Sequence, residues 1–180
     1  MEPFATSHEL EARLQATFTA GQHTAADDAL RRASDTFREL AGQTIFPVQT
    51  DVTKVWYGVS ASRLFLPHPP VVPVQVGTVT VNGDVLDPAE WRVEESHSLV
   101  RVSGSWQGDV EVVYQHGFAS PPQSVAGVVL SLVARTFDNP SGLTQETAGP
   151  FNRSFGNAAV QGWRAEDLRV LDLFRKVAFL

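Results

Sequence analysis

Five histidines, at positions 8, 23, 68, 97 and 116, are the residues of this chain from which metal or acid–base chemistry would first be expected. No two are spaced as a helical HxxxH, and none is followed by an obvious carboxylate partner, so the spacing gives metal binding no support. Cysteine is absent, which removes thiolate metal sites, disulfides and cysteine nucleophiles together. Neither GxGxxG nor GxxxxGK[ST] occurs, and "GSWQG" lacks the helix start on which a phosphate would sit. The serines at 103, 105 and 120 are outside any GxSxG elbow. The paired acids Asp27-Asp28 and Glu94-Glu95 are sequence neighbours, which point in different directions on a helix or a strand and make poor acid–base pairs. No catalytic, metal-binding or cofactor-binding residue is therefore expected.

Two aromatic groupings and one histidine need a positioning argument instead. "YQHGFASPPQSVAGVVLSLVARTFDNPSG", residues 114–142, reads as a strand that crosses a double proline into a very apolar helix. His116 in it is expected to be structural, a strand-end histidine bonding the backbone where the chain turns. Trp56, Trp91 and Trp106, with Tyr57, could line a sugar-binding face, but hairpin and core packing of a small sheet is the simpler expectation. Phe151, Phe155 and Trp163 lie in "LTQETAGPFNRSFGNAAVQGW", a stretch without period and with several glycines. A loop of roughly twenty residues is unusual in a compact domain, and its aromatics favour a partner surface over self-packing.

The elements that must position these residues change character along the chain. "SHELEARLQATF" carries Leu10, Leu14 and Phe18 at helical spacing, with Ser7 as N-cap and Gly21 as a break. A second helix is expected from Thr24, with Asp27 completing a capping-box pattern and Gly42 as the stop. Its apolar face is Leu30, Ala33, Phe37, Leu40 and Ala41, with Arg38 mostly elsewhere. From Thr44 to Phe118 short β-branched runs alternate with turns, and Asn82-Gly83 between such runs is a strong hairpin signal. About five to seven strands are expected. The prolines of "LPHPPVVPV" forbid a central strand there. The helix over 123–138 is apolar nearly all round, with Ser124, Ser131, Arg135 and Asp138 as a narrow polar strip, so it must be buried on most sides. The chain closes with a helical stripe of Leu168, Leu171, Phe174 and Val177.

At 180 residues, with 43% apolar and 19% charged residues, the chain can build a core and leans toward assembly. A net charge of −6 without any basic run lacks the footprint of a nucleic-acid binder, although an acidic protein can surround DNA without gripping it. The start has no signal-peptide pattern, and no apolar run approaches the ~18 residues of a membrane span, so a soluble cytoplasmic product is expected.

The order of the pieces resembles a known family. A helical hairpin is followed by "VTVNGDVLDPAEWRV", then "VVYQHGF" with Pro121-Pro122 beyond it, an apolar helix, "NPSGLTQETAG" and a last helix "AEDLRVLDLFRK". The series is similar to the head–tail connector (adaptor) proteins of long-tailed double-stranded DNA bacteriophages, particularly those infecting actinobacteria. That resemblance implies an α+β protein without enzymatic activity or cofactor: a bundle of about four helices, residues 1–46 plus 119–180, with a small antiparallel β domain inserted at 47–118. It implies a homo-oligomeric ring, dodecameric by the family pattern, in the virion neck. The ring's partners are the portal protein and a stopper or tail-completion protein, it encloses DNA without reading sequence, and it is made in the host cytoplasm. The β insertion is longer than in simple all-helical connectors. Exposure logic assigns Phe151, Asn152, Arg153, Phe155, Trp163, Phe174, Phe179 and Leu180 as assembly contacts. The alternatives are another neck protein, a stopper or tail terminator, and a carbohydrate-binding module.

Overall fold

The computed structural model describes residues 1–69, 71–95, 97–138, 145–148, 151–154 and 162–176, with the backbone alone at 138, 145–148 and 151–154. In chain order the elements are α1 (Ser7–Leu14), α2 (Ala20–Ala41), β1 (Gln49–Ala61), β2 (Arg63–Phe65), β3 (Val74–Val81), β4 (Asp84–Val85), a 3-10 turn (Pro88–Glu90), β5 (Trp91–Glu94), β6 (Ser98–Arg101), β7 (Trp106–His116), α3 (Gln123–Asp138), β8 (Gln145–Ala148), β9 (Phe151–Ser154) and α4 (Ala165–Phe174). The class is the α+β expected, four described helices with antiparallel sheets. None of the described helices is long and apolar enough to cross a membrane. The chain divides into two compact units, residues 1–40 with 121–172 (the helical unit) and 41–120 with 173–180 (the β unit).

In the helical unit both first helices start on capping boxes, in each case off the expected residue. Thr6, not Ser7, caps α1: its hydroxyl accepts from the Glu9 amide at 3.3 Å while Glu9 accepts from the Thr6 amide at 2.7 Å. Thr19 and Gln22 repeat the exchange at 3.3 and 2.8 Å, so α2 begins at Ala20 and includes Gly21 and Thr24. Two satisfied amides outweigh the ~1 kcal/mol that a helical glycine costs. Thr24 instead donates back to the Ala20 carbonyl at 3.1 Å. Helix α1 stops at Leu14, four residues short of the expected end, because Gln15 turns left-handed (φ 52°) and the Phe18 amide donates to Glu11 Oε1 at 2.6 Å.

The core of this unit is Phe4, Leu10, Leu30, Phe37, Val125, Val129 and Leu171, all essentially without exposure. Two side chains trade places with the expectation on α2. Leu40 is 43% exposed, and Arg38 is buried at 6% with its guanidinium 4.2 Å over the Phe4 ring. The polar strip of α3 is a contact line: Ser131 accepts from Arg13 of α1 at 2.7 Å, and Arg135 meets Asp167 of α4 at 2.7 Å. On α4 the buried row is Asp167, Leu171 and Phe174, and Leu168 points outward.

The β unit holds seven strands in two antiparallel sheets, ordered β1-β7-β3-β4 and β2-β6-β5. Asn82 and Gly83 form the two-residue loop between β3 and β4, with φ 52° and 90°, the primed-turn geometry that Asn-Gly favours. One core lies under both sheets: Leu64, Leu66, Val79, Leu99, Trp106, Val110, Val112 and Tyr114. Trp106 sits on β7 and its indole N–H donates to the Leu99 carbonyl of β6 at 3.1 Å, so one side chain links the two sheets. The described part of the proline run between β2 and β3 carries no strand.

Candidate assembly surface

At the end of β7 the chain must leave the sheet, and Gly117 makes that corner. Its φ is 108°, and a Cβ there would lie 3.1 Å from the Ile45 carbonyl oxygen and 3.3 Å from that of Pro47. Only glycine meets both demands. The Gly117 amide donates to the Pro73 carbonyl at 3.0 Å and the Phe118 amide to the Ile45 carbonyl at 2.9 Å, which fixes the exit geometry.

Beside this corner the β unit buries a neutral polar chain. Tyr114 O–H lies 3.0 Å from His68 Nε2, and His68 Nδ1 lies 2.6 Å from Gln43 Oε1. The Gln43 amide nitrogen donates to the Phe174 carbonyl. A neutral imidazole protonated on Nδ1 satisfies every link in one direction: phenol to imidazole to amide to carbonyl. Burial, with His116 and Lys176 nearby, holds the His68 imidazole down at about 3. Burial likewise raises the Tyr114 phenol to about 12, so both stay uncharged near neutrality. His116 stacks on His68 with ring centroids 3.7 Å apart, and its own value is lowered by burial and by Lys176. It is structural in position, but its Nδ1 has no hydrogen-bond partner among the described residues; it caps the chain by stacking where a backbone bond was expected.

The tryptophans of the β unit serve its packing. Trp106 is fully buried, and Trp56 and Trp91 rest against the same core. Tyr57 is 79% exposed and stands apart from them.

The expected assembly residues divide into three groups. Phe151, Asn152 and Arg153 form most of β9, which pairs antiparallel with β8 from Gln145↔Ser154 to Ala148↔Phe151, so a hairpin stands inside the stretch expected to lack regular structure. The two runs are four residues each and mostly polar, too short to show an alternation, and Gly149-Pro150 between them is the turn signal that was readable. Trp163 is half-buried, its ring 5.9 Å from Phe37, and Gly162 beside it accepts from Arg135 at 3.2 Å. Phe174 is buried within its own chain and packs edge-on against Phe118. Phe155, Phe179 and Leu180 lie outside the described residues. Apolar side chains exposed among the described residues include Leu40 and Leu168 in the helical unit, and Tyr57, Val85, Val102 and Leu173 in the β unit.

One cluster escaped the spacing argument. His8 and Glu11, three apart on α1, meet His23 of α2, their ligand atoms all within 4.8 Å. The readable half was the His-x-x-Glu spacing; the second histidine comes from another helix and has no local signal.

No protein-family model matches the sequence, and no curated protein matches it. Among solved structures, the chain is similar to one in the neck of an empty GTA particle computed with C6 symmetry, at 18% identity and a TM-score of 0.48, over 97% of this chain and 90% of that one.

Proposed function

We propose that this chain is a structural protein of a bacteriophage neck, a head-to-tail adaptor that assembles as a ring between the portal and the stopper or tail-completion proteins and continues the DNA channel. The observation that carries the reading is the order of elements: a helical hairpin, a seven-stranded β region, the apolar helix α3, then a hairpin and a final helix. Apart from the hairpin β8–β9, that order is the one implied by the resemblance of the sequence to phage connectors. In this reading residues 1–46 with 119–180 are the bundle and 47–118 the insertion. The net charge of −6 suits a wall around DNA that must let the strand slide. Arg153, Phe151 and Trp163, with exposed Leu168, are the first candidates for contacts to the ring neighbour or the portal.

The test is solution mass by light scattering over a concentration series, with negative-stain images of the same samples and a capture assay on purified portal. Closed rings with a central hole of DNA width, or a monomer that portal retains, are the expected results. A chain that stays monomeric and that portal does not retain overturns the adaptor role. Retention by a tail-completion protein alone favours a stopper or tail terminator.

A further inference from the structure

We propose that His8, Glu11 and His23 form a binding site for a divalent transition metal of the zinc class, which staples helix α1 to helix α2. The three groups converge from two elements: His8 Nδ1 is 3.6 Å and His23 Nε2 is 3.8 Å from the same Glu11 oxygen, Oε2. The two imidazole rings are 4.8 Å apart and tilted by 60°. Zinc bonds of about 2.0–2.2 Å in a tetrahedral arrangement place ligand atoms roughly 3.3 Å from each other. A small rotation of His8, whose side chain is 82% exposed, closes the gap on its side, and a shift of His23 toward Glu11 Oε2 closes the other.

The surroundings orient these groups in the manner of a metal site. Glu11 uses its other oxygen, Oε1, to accept from the Phe18 amide at 2.6 Å, which fixes the carboxylate and leaves Oε2 aimed at both rings. Such outer hydrogen bonds set the direction of metal ligands. His23 is held by the edge of Phe18, with ring centroids 5.5 Å apart, and presents Nε2 to Glu11. Two imidazoles and one carboxylate suit zinc, cobalt, nickel or copper, and are a poor set for magnesium or calcium, which require oxygen ligands. Three protein ligands leave at least one position for water or for a donor from another molecule.

The experiment is calorimetric titration of the full chain with zinc chloride, with magnesium chloride in parallel, and thermal unfolding at rising zinc concentration. One zinc per chain, a melting temperature that climbs with zinc and no response to magnesium are expected. His8→Ala is the decisive variant because its side chain is mostly in solvent and its loss leaves the fold intact; zinc affinity should fall at least about tenfold. Cobalt(II) added to the native chain should give visible d–d bands that His8→Ala and His23→Ala each weaken. Absence of zinc binding, an equal response to magnesium, or zinc binding unchanged in His8→Ala overturns the site.

Discussion

The two units bury polar groups by opposite means. The helical unit buries charge. Arg135 and Asp167 meet at 2.7 Å with side chains 15% and 5% exposed, and buried Arg38 is offset by Asp35 at 3.1 Å and by the Phe4 ring. Burial draws the Arg38 guanidinium down from its usual value, and Asp35 pulls it back. The β unit buries dipoles: Tyr114, His68 and Gln43 pass one direction of donation to the Phe174 carbonyl, and the chain holds while His68 is neutral. A paired charge is costly to break from one side, since the partner is left buried and uncompensated. A neutral chain has a different weakness, because one proton turns its central member into a donor at both ends and removes the acceptor of the Tyr114 O–H. The two ways of burying polarity thus make one unit sensitive to substitution and the other to acid.

The largest expected effect tests the charged half. Asp167→Ala strands Arg135 and removes the acceptor of the Arg164 amide, 2.9 Å away, and should cost about 3–5 kcal/mol, read as the shift in urea midpoint at constant slope. A loss below about 1 kcal/mol would place this pair with ordinary surface pairs and break the contrast. Acid tests the neutral half. The unfolded chain takes up a proton below the ordinary imidazole value, whereas folded His68 resists it down to about 3. Stability is therefore complete above pH ~6.5 and falls as the pH drops toward 3, by about 2–3 kcal/mol near pH ~4.5. His116, lowered in the same direction, adds to the slope. Urea midpoints that stay level from neutrality to pH ~4.5 would refute the neutral chain.

Smaller effects sharpen the picture. Thr19→Ala removes the acceptor for the Gln22 amide and should cost about 1 kcal/mol, with the first turn of α2 losing hydrogen-exchange protection before the rest. Arg31→Ala breaks an ion pair to Asp28 of the same chemistry as Arg135–Asp167, but with both side chains about half exposed. It should change stability by less than about 0.5 kcal/mol and respond to salt, and the distance between this value and that of Asp167→Ala measures what burial adds.

What the residues revealed beforehand depended on how local the signal was. Helix α3 was legible at both ends, because Pro121-Pro122 precede it, Asn139-Pro140 follow it, and its apolar residues repeat at helical spacing. The Asn82-Gly83 turn and the Gly42 stop, with φ 69°, were legible for the same reason: each conformation belongs to very few residue types. Helix starts were less so, since Thr6, Ser7, Thr19 and Thr24 are all acceptable caps and the choice is made by which glutamate or glutamine can reach back. The burial of Arg38 in place of Leu40 was invisible, because it depends on Phe4, more than thirty residues away. The Tyr114–His68–Gln43 chain is assembled by tertiary folding and has no spacing to read, and of the His8–Glu11–His23 cluster only the His8–Glu11 spacing is local.

The edges of the sheets in the β unit have a practical consequence. Strand β4 has two residues, and β2 and β5, the outer strands of the second sheet, have three and four. The one long outer strand, β1, is interrupted by register shifts between Gln49 and Val52 and between Trp56 and Val59, where Asp51 and Gly58 take positive φ. Short or broken borders offer a passing chain too few evenly spaced amides and carbonyls to extend the sheet. Concentrated preparations should therefore stay free of fibrous precipitate, and copies that do associate must recognise one another through side-chain shape rather than by adding strands.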